Sequence, residues 1–169
     1  MALGLVFAVG APLAAKAAAP VQGTPEQFVQ AFYDWYVPLS IKNVSKRSES
    51  PADIIAIRQR PALFGRELAA MLVADWRMQS KCRGYIVGLD FDPFLQAQDD
   101  DGHFRVAGAK ATARGYQVLV SRDGKPFLSA DVAGGPGHWR FTDFSDHDGQ
   151  SLIATLRGLA KSDQTCPKD

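Results

Sequence analysis

The chain has 169 residues, 46% of them hydrophobic and 22% charged, which is enough apolar material for one packed domain and too much for a disordered chain. Nineteen basic residues against eighteen acidic ones leave no net field to steer nucleic acid or an anionic membrane surface.

The first twenty residues, MALGLVFAVGAPLAAKAAAP, are apolar, rich in alanine and free of acids. About 15 apolar residues fall short of the roughly 20 that a membrane span needs. The segment reads as a signal peptide over residues 1–19, with cleavage near 17–19 after Ala15-Lys16-Ala17 or Ala17-Ala18-Ala19. It has no basic n-region, so the natural start is expected upstream. No cysteine follows the small residues, so a lipid anchor is not indicated. The remainder, residues 20–169, is expected to be a single periplasmic or secreted domain with no membrane span. In an oxidising compartment its two cysteines, Cys82 and Cys166, are expected to form a disulfide.

Thr24-Pro25-Glu26-Gln27 opens a helix with a capping box. Phe28, Ala31, Phe32, Trp35 and Tyr36 recur at helical spacing as an aromatic stripe, and Pro38 is expected to end the helix. Residues 39–50 read as a polar loop. A short helix over 52–60 follows, and Pro61 is expected to open a longer one over 61–81, with Gly84 as its stop.

The period then changes from helical to alternating. Residues 104–110, 115–121, 127–133 and 138–144 read as strands, with Asp123-Gly124 as the turn of the central hairpin. In the last strand Trp139 and Phe141 share one face, and Arg140 and Thr142 the other. Leu152, Ile153, Leu156 and Leu159 mark a C-terminal amphipathic helix, capped by Asp146 or Asp148. Helices, an antiparallel meander and a final helix make an α+β fold, with helices packed on one face of a four-stranded sheet.

FVQAFYDWY, GLDFDPFLQAQD and HWRFTDF together resemble a family of exported bacterial proteins, known as a domain of unknown function and often classed as lipoproteins. The resemblance covers about residues 24–160, and its most specific element is DPF-x-x-x-QD: Asp92, Pro93, Phe94, Gln98 and Asp99. It implies the cone-shaped α+β roll of the nuclear transport factor superfamily, also called cystatin-like, and it implies export. That superfamily holds both enzymes and non-catalytic binding domains, and its members often pair through the sheet, so a homodimer is one expectation.

FDPFLQAQDDDG, residues 91–102, is the densest polar pattern in the chain. Aligned as a calcium loop on Gly102 it puts Ala97 first and Gly108 last, and FSDHDG puts Phe144 first and Thr155 last; both fail the ligand pattern. The three histidines, His103, His138 and His147, have no metal-pair spacing. No metal and no cofactor is implied. The segment reads as a framework joint, in which Asp92 accepts backbone N–H groups and Phe94 and Leu95 enter the core. The leading expectation is therefore a non-catalytic binding or accessory domain for a small apolar ligand or a protein partner. One alternative is an isomerase, dehydratase or cyclase with Asp90 or Asp92 as base and Tyr33 or Tyr36 as hydrogen-bond donor. The other is an inhibitor or immunity-type protein that presents residues 39–50 or 133–138.

Overall fold

A computed structural model describes residues 23–46, 50–82, 85, 87–98, 102–162 and 166. The leader, Gly84 and Asp99 lie outside these residues. Three helices, α1 (Pro25–Lys46), α2 (Ala52–Gln59) and α3 (Arg66–Lys81), precede strands β1 (Phe104–Thr112), β2 (Gly115–Arg122), β3 (Lys125–Ala133) and β4 (Arg140–Ser145), and α4 (Leu152–Lys161) closes the chain. The sheet is an antiparallel meander in the order β1-β2-β3-β4. The fold is α+β.

The capping box forms in both directions: the Thr24 amide donates to Gln27 Oε1 at 3.1 Å, and the Gln27 amide to Thr24 Oγ1 at 3.4 Å. Beyond it α1 runs through Pro38 for two more turns, so the expected stop at Pro38 is corrected and residues 39–46 of the expected loop are helical, while residues 47–49 lie outside the described residues. Proline removes one intrahelical bond, at a cost of about 3 kcal/mol. Packing on both sides outweighs that loss: Tyr36 is fully buried and Ser40 is 7% exposed.

The second correction is at Pro61. It starts only a single turn of 3-10 helix, Pro61–Leu63. Phe64 then forms a bridge to Phe141 on the open edge of β4, and the Gly65 amide donates to the Phe141 carbonyl at 2.7 Å. This pairing covers a sheet edge and buries Phe64, and α3 begins only after it.

Asp123 and Gly124 both take positive φ, 51° and 79°, the backbone of a two-residue hairpin turn. Trp139 and Phe141 are both buried, as their shared face requires. A bulge opposite Asp131/Val132 then inserts one residue into β4, so Phe141 and Phe144, three apart, both reach 0% exposure. Simple alternation would have placed Phe144 on the other face.

The core is aromatic. Phe32 lies 4.7 Å from Phe141, 5.1 Å from Tyr36 and 5.6 Å from Phe94, measured between ring centroids. The stripe on α1 is therefore filling rather than pocket wall, and Tyr33 joins it. At the far end Ser151, not Asp146 or Asp148, caps α4 by accepting the Ala154 amide. Asp146 instead closes its own loop, accepting the amides of Asp148 and Gln150. Cys82 and Cys166 form a disulfide between the end of α3 and the chain beyond α4.

Candidate functional site: an acidic cleft

The segment 89–98 crosses the mouth of a space left between α1, α2 and α3. Asp92 organises it. Its backbone N–H donates to the Ala97 carbonyl and its own carbonyl accepts from the Gln96 amide, each at 2.8 Å, which closes a tight loop. Oδ1 accepts the amides of Phe94 and Leu95 at 3.0 and 3.1 Å, an Asx-type turn. Oδ2 accepts Tyr36 Oη at 2.7 Å and Ser40 Oγ at 3.1 Å. Phe94 and Leu95, 0% and 1% exposed, fill the core beneath. Burial raises the Asp92 carboxyl above the ordinary range of an aspartate, and its four donors oppose the shift.

The residues singled out in the sequence separate here. Tyr36 meets Asp92, whereas Tyr33 donates to the Phe94 carbonyl at 3.0 Å. Both hydroxyls are thereby engaged inside the protein, and burial and the charge of Asp92 push both phenols well above the usual tyrosine value. Asp90 is exposed at the cleft rim while the Asp92 carboxylate turns inward, so the two do not act as a pair. Pro93 is buried and Gln98 is exposed, and both line the cleft.

Two carboxylates that the sequence reading did not single out complete the site. Asp53 stands in the first turn of α2 and is 7% exposed. Only backbone amides of its own turn reach it, and it has no side-chain partner among the described residues. Burial first, and then the charge of Asp92, push its pKa up to about 7. The signal was present: Asp53 shares a helix face with Ala56 and Ile57, three and four residues on, and both are buried.

Asp75 on α3 is the second. Its Oδ2 accepts Gln79 Nε2 at 2.7 Å and the Leu89 amide at 3.1 Å, while Gln79 also donates to the Leu89 carbonyl at 2.9 Å. This clasp pins the incoming strand at Leu89. Gly88 makes it possible: its φ is +74°, and a Cβ there would stand 2.5 Å from Asp75 Oδ1. Burial raises the Asp75 carboxyl as well.

The cleft has a volume of about 320 Å³. Leu72, Trp76 and Phe91 form its apolar wall, and Asp53, Asp75, Asp90 and Asp92 supply its charge. Comparison with protein-family models, curated proteins and solved structures finds no match to this chain. Fold and cleft together define an α+β domain with an acidic cleft that is bounded by helices and by one pinned loop.

Proposed function

We propose that this is an exported binding domain and that the cleft between α1, α2, α3 and residues 89–98 holds a small molecule. The observation that carries the reading is Asp53. A carboxylate removed from water without a side-chain partner is costly to the fold, and such a cost is commonly retained where a ligand supplies the missing contact. The volume lies at the small end of ligand sites, and an apolar wall facing a few polar groups is their usual lining. The site differs from the expected one, because the aromatics of α1 are spent on the core and the cleft is acidic.

Export is supported by the Cys82–Cys166 disulfide together with the leader-like N-terminus. No helix among the described residues is long and apolar enough to cross a membrane. The family resemblance and the cone-shaped roll of the nuclear transport factor superfamily remain part of this proposal. What supports them is the order of three helices, a four-stranded meander and a final helix.

The test is native mass spectrometry of the protein purified gently from its source, beside the Asp53→Asn variant. A small molecule that travels with the wild-type chain and is lost from the variant supports the reading. A bare mass for both opposes it.

A second reading has one observation in its favour. An acid that titrates near neutrality suits proton transfer, so a catalyst would use Asp53 in place of Asp90 or Asp92. It predicts that Asp53→Asn retains the bound molecule and loses turnover.

A further inference from the structure

Among the described residues the charge in the cleft is one-sided: Asp53, Asp75, Asp90 and Asp92 line it and no described lysine, arginine or histidine does, in a chain whose acids and bases are otherwise nearly balanced. Arg58 does not line the cleft: it stacks on Trp76 at 4.7 Å and donates to Ser50 Oγ.

The four carboxylates are not equally available. Asp92 spends both oxygens on Tyr36, Ser40 and two backbone amides, and Asp75 spends Oδ2 on the clasp around Leu89. Asp90 is exposed to water at the rim. Asp53 is 7% exposed and lacks any side-chain partner among the described residues, so it is the group a ligand would complete.

Resting on the binding reading above, we propose that the cleft takes a small organic cation. A protonated amine or guanidinium would pair with Asp53, and the apolar body would lie against Leu72, Trp76 and Phe91. An anion would meet four carboxylates. A neutral apolar molecule would leave the Asp53 carboxyl buried without a side-chain partner. A bare metal ion fits poorly, because no three histidine, cysteine, aspartate or glutamate side chains converge at ligating distance among the described residues. Pairing with a cation also draws Asp53 into its ionised form, so binding releases the proton that burial holds there.

A matched trio tests the charge alone: hexylammonium, hexanol and hexanoate, each titrated into the purified protein while the amide resonances of Leu89–Gln98 are followed by NMR. Hexylammonium is expected to bind about tenfold or more tighter than hexanol, with the advantage lost in Asp53→Asn, and hexanoate is expected to leave the cleft unmoved. Asp90→Asn, at the exposed rim, serves as a second variant and should weaken hexylammonium only slightly. Hexanol or hexanoate matching hexylammonium would overturn the cation and leave the binding reading standing. The same shifts produced by calcium chloride alone would overturn it in favour of a metal ion. If none of the probes moves a cleft resonance, the cation assignment falls, and the binding reading is then decided separately by the co-purified mass.

Discussion

Tyr36 donates its phenolic hydrogen to Asp92 Oδ2 at 2.7 Å, across 56 residues of sequence. The bond joins the middle of α1 to the loop that closes the cleft. Ser40, one turn further on and beyond Pro38, makes the second bond to the same oxygen. The helix therefore has to continue through its proline for the loop to be held.

Replacing Asp92 with Ala is expected to lower stability by roughly 2–4 kcal/mol, because the buried Tyr36 hydroxyl and two amides lose their acceptor together. Tyr36→Phe should cost less, about 1–2 kcal/mol, since Ser40 and the amides still hold the carboxylate. Urea unfolding of both variants measures the order. A near-normal midpoint for Asp92→Ala would show that the loop is held by Phe94 packing alone.

Phe94→Ala tests that packing directly. The ring is 0% exposed and lies within 5.6 Å of the rings of Phe32, Tyr36, Phe64 and Phe144. Removing it should cost about 3–5 kcal/mol through the cavity left behind. A loss below 1 kcal/mol would mean that the core collapses into the space.

Stability should fall as pH rises from about 4 to about 7. Asp53 titrates near 3.8 when unfolded and is raised to about 7 when folded, so over that interval the folded state holds the extra proton. The stability from neutral Asp53 is complete below the lower value and is lost as pH rises through the upper one. Asp75 and Asp92, also raised, act in the same direction. Asp53→Asn, which stays neutral, should be more stable than wild type at pH 8 by roughly 2–4 kcal/mol and no more stable at pH 4. Thermal melts at both pH values decide it, and equal melting of the two proteins at pH 8 would show that Asp53 is not a burdened carboxylate.

Gly88→Ala should destabilise the protein by about 1–3 kcal/mol, because the residue sits in a left-handed conformation and the added methyl displaces Asp75 from Leu89. Hydrogen exchange at the Leu89 amide should rise in the variant. An unchanged exchange rate there would separate the clasp from the glycine.

Reduction of Cys82–Cys166 should lower stability by up to roughly 4–5 kcal/mol, since the bond closes a loop spanning 84 residues and restrains the unfolded chain. Melting with and without reductant checks this. An unchanged melting temperature would show that α3 and α4 hold the end of the chain by packing alone.

Much of this was legible in the residues. The capping box at Thr24 and Gln27, the Asp123-Gly124 turn and the first three alternating strands are local chemistry, and each forms where its pattern lies, whereas the fourth strand begins at Arg140 rather than at residue 138 and carries a bulge. Asp92 stood out because an aspartate before Pro-Phe has few conformations open to it. Tyr36 was one of two candidate donors beside it, but Ser40 did not stand out, since it lies beyond Pro38, where the helix was expected to have ended. The error at Pro61 has the same origin, because Phe64 is drawn to the edge of β4 by a pairing that nothing near it in sequence announces.

The sequence by itself determined the α+β order of elements, the turn that sets the central hairpin, and the cysteine pair, because these depend on neighbours along the chain or on composition. The tertiary structure alone decided that α1 outruns its proline, that a bulge brings Phe144 into the core, and that Asp53, Asp75 and Asp92 face one cleft. The physical reason is that burial and charge are properties of the surroundings. An aspartate in the first turn of a helix is an ordinary residue until another helix and a loop, 22 and 39 residues further along the chain, take its water away.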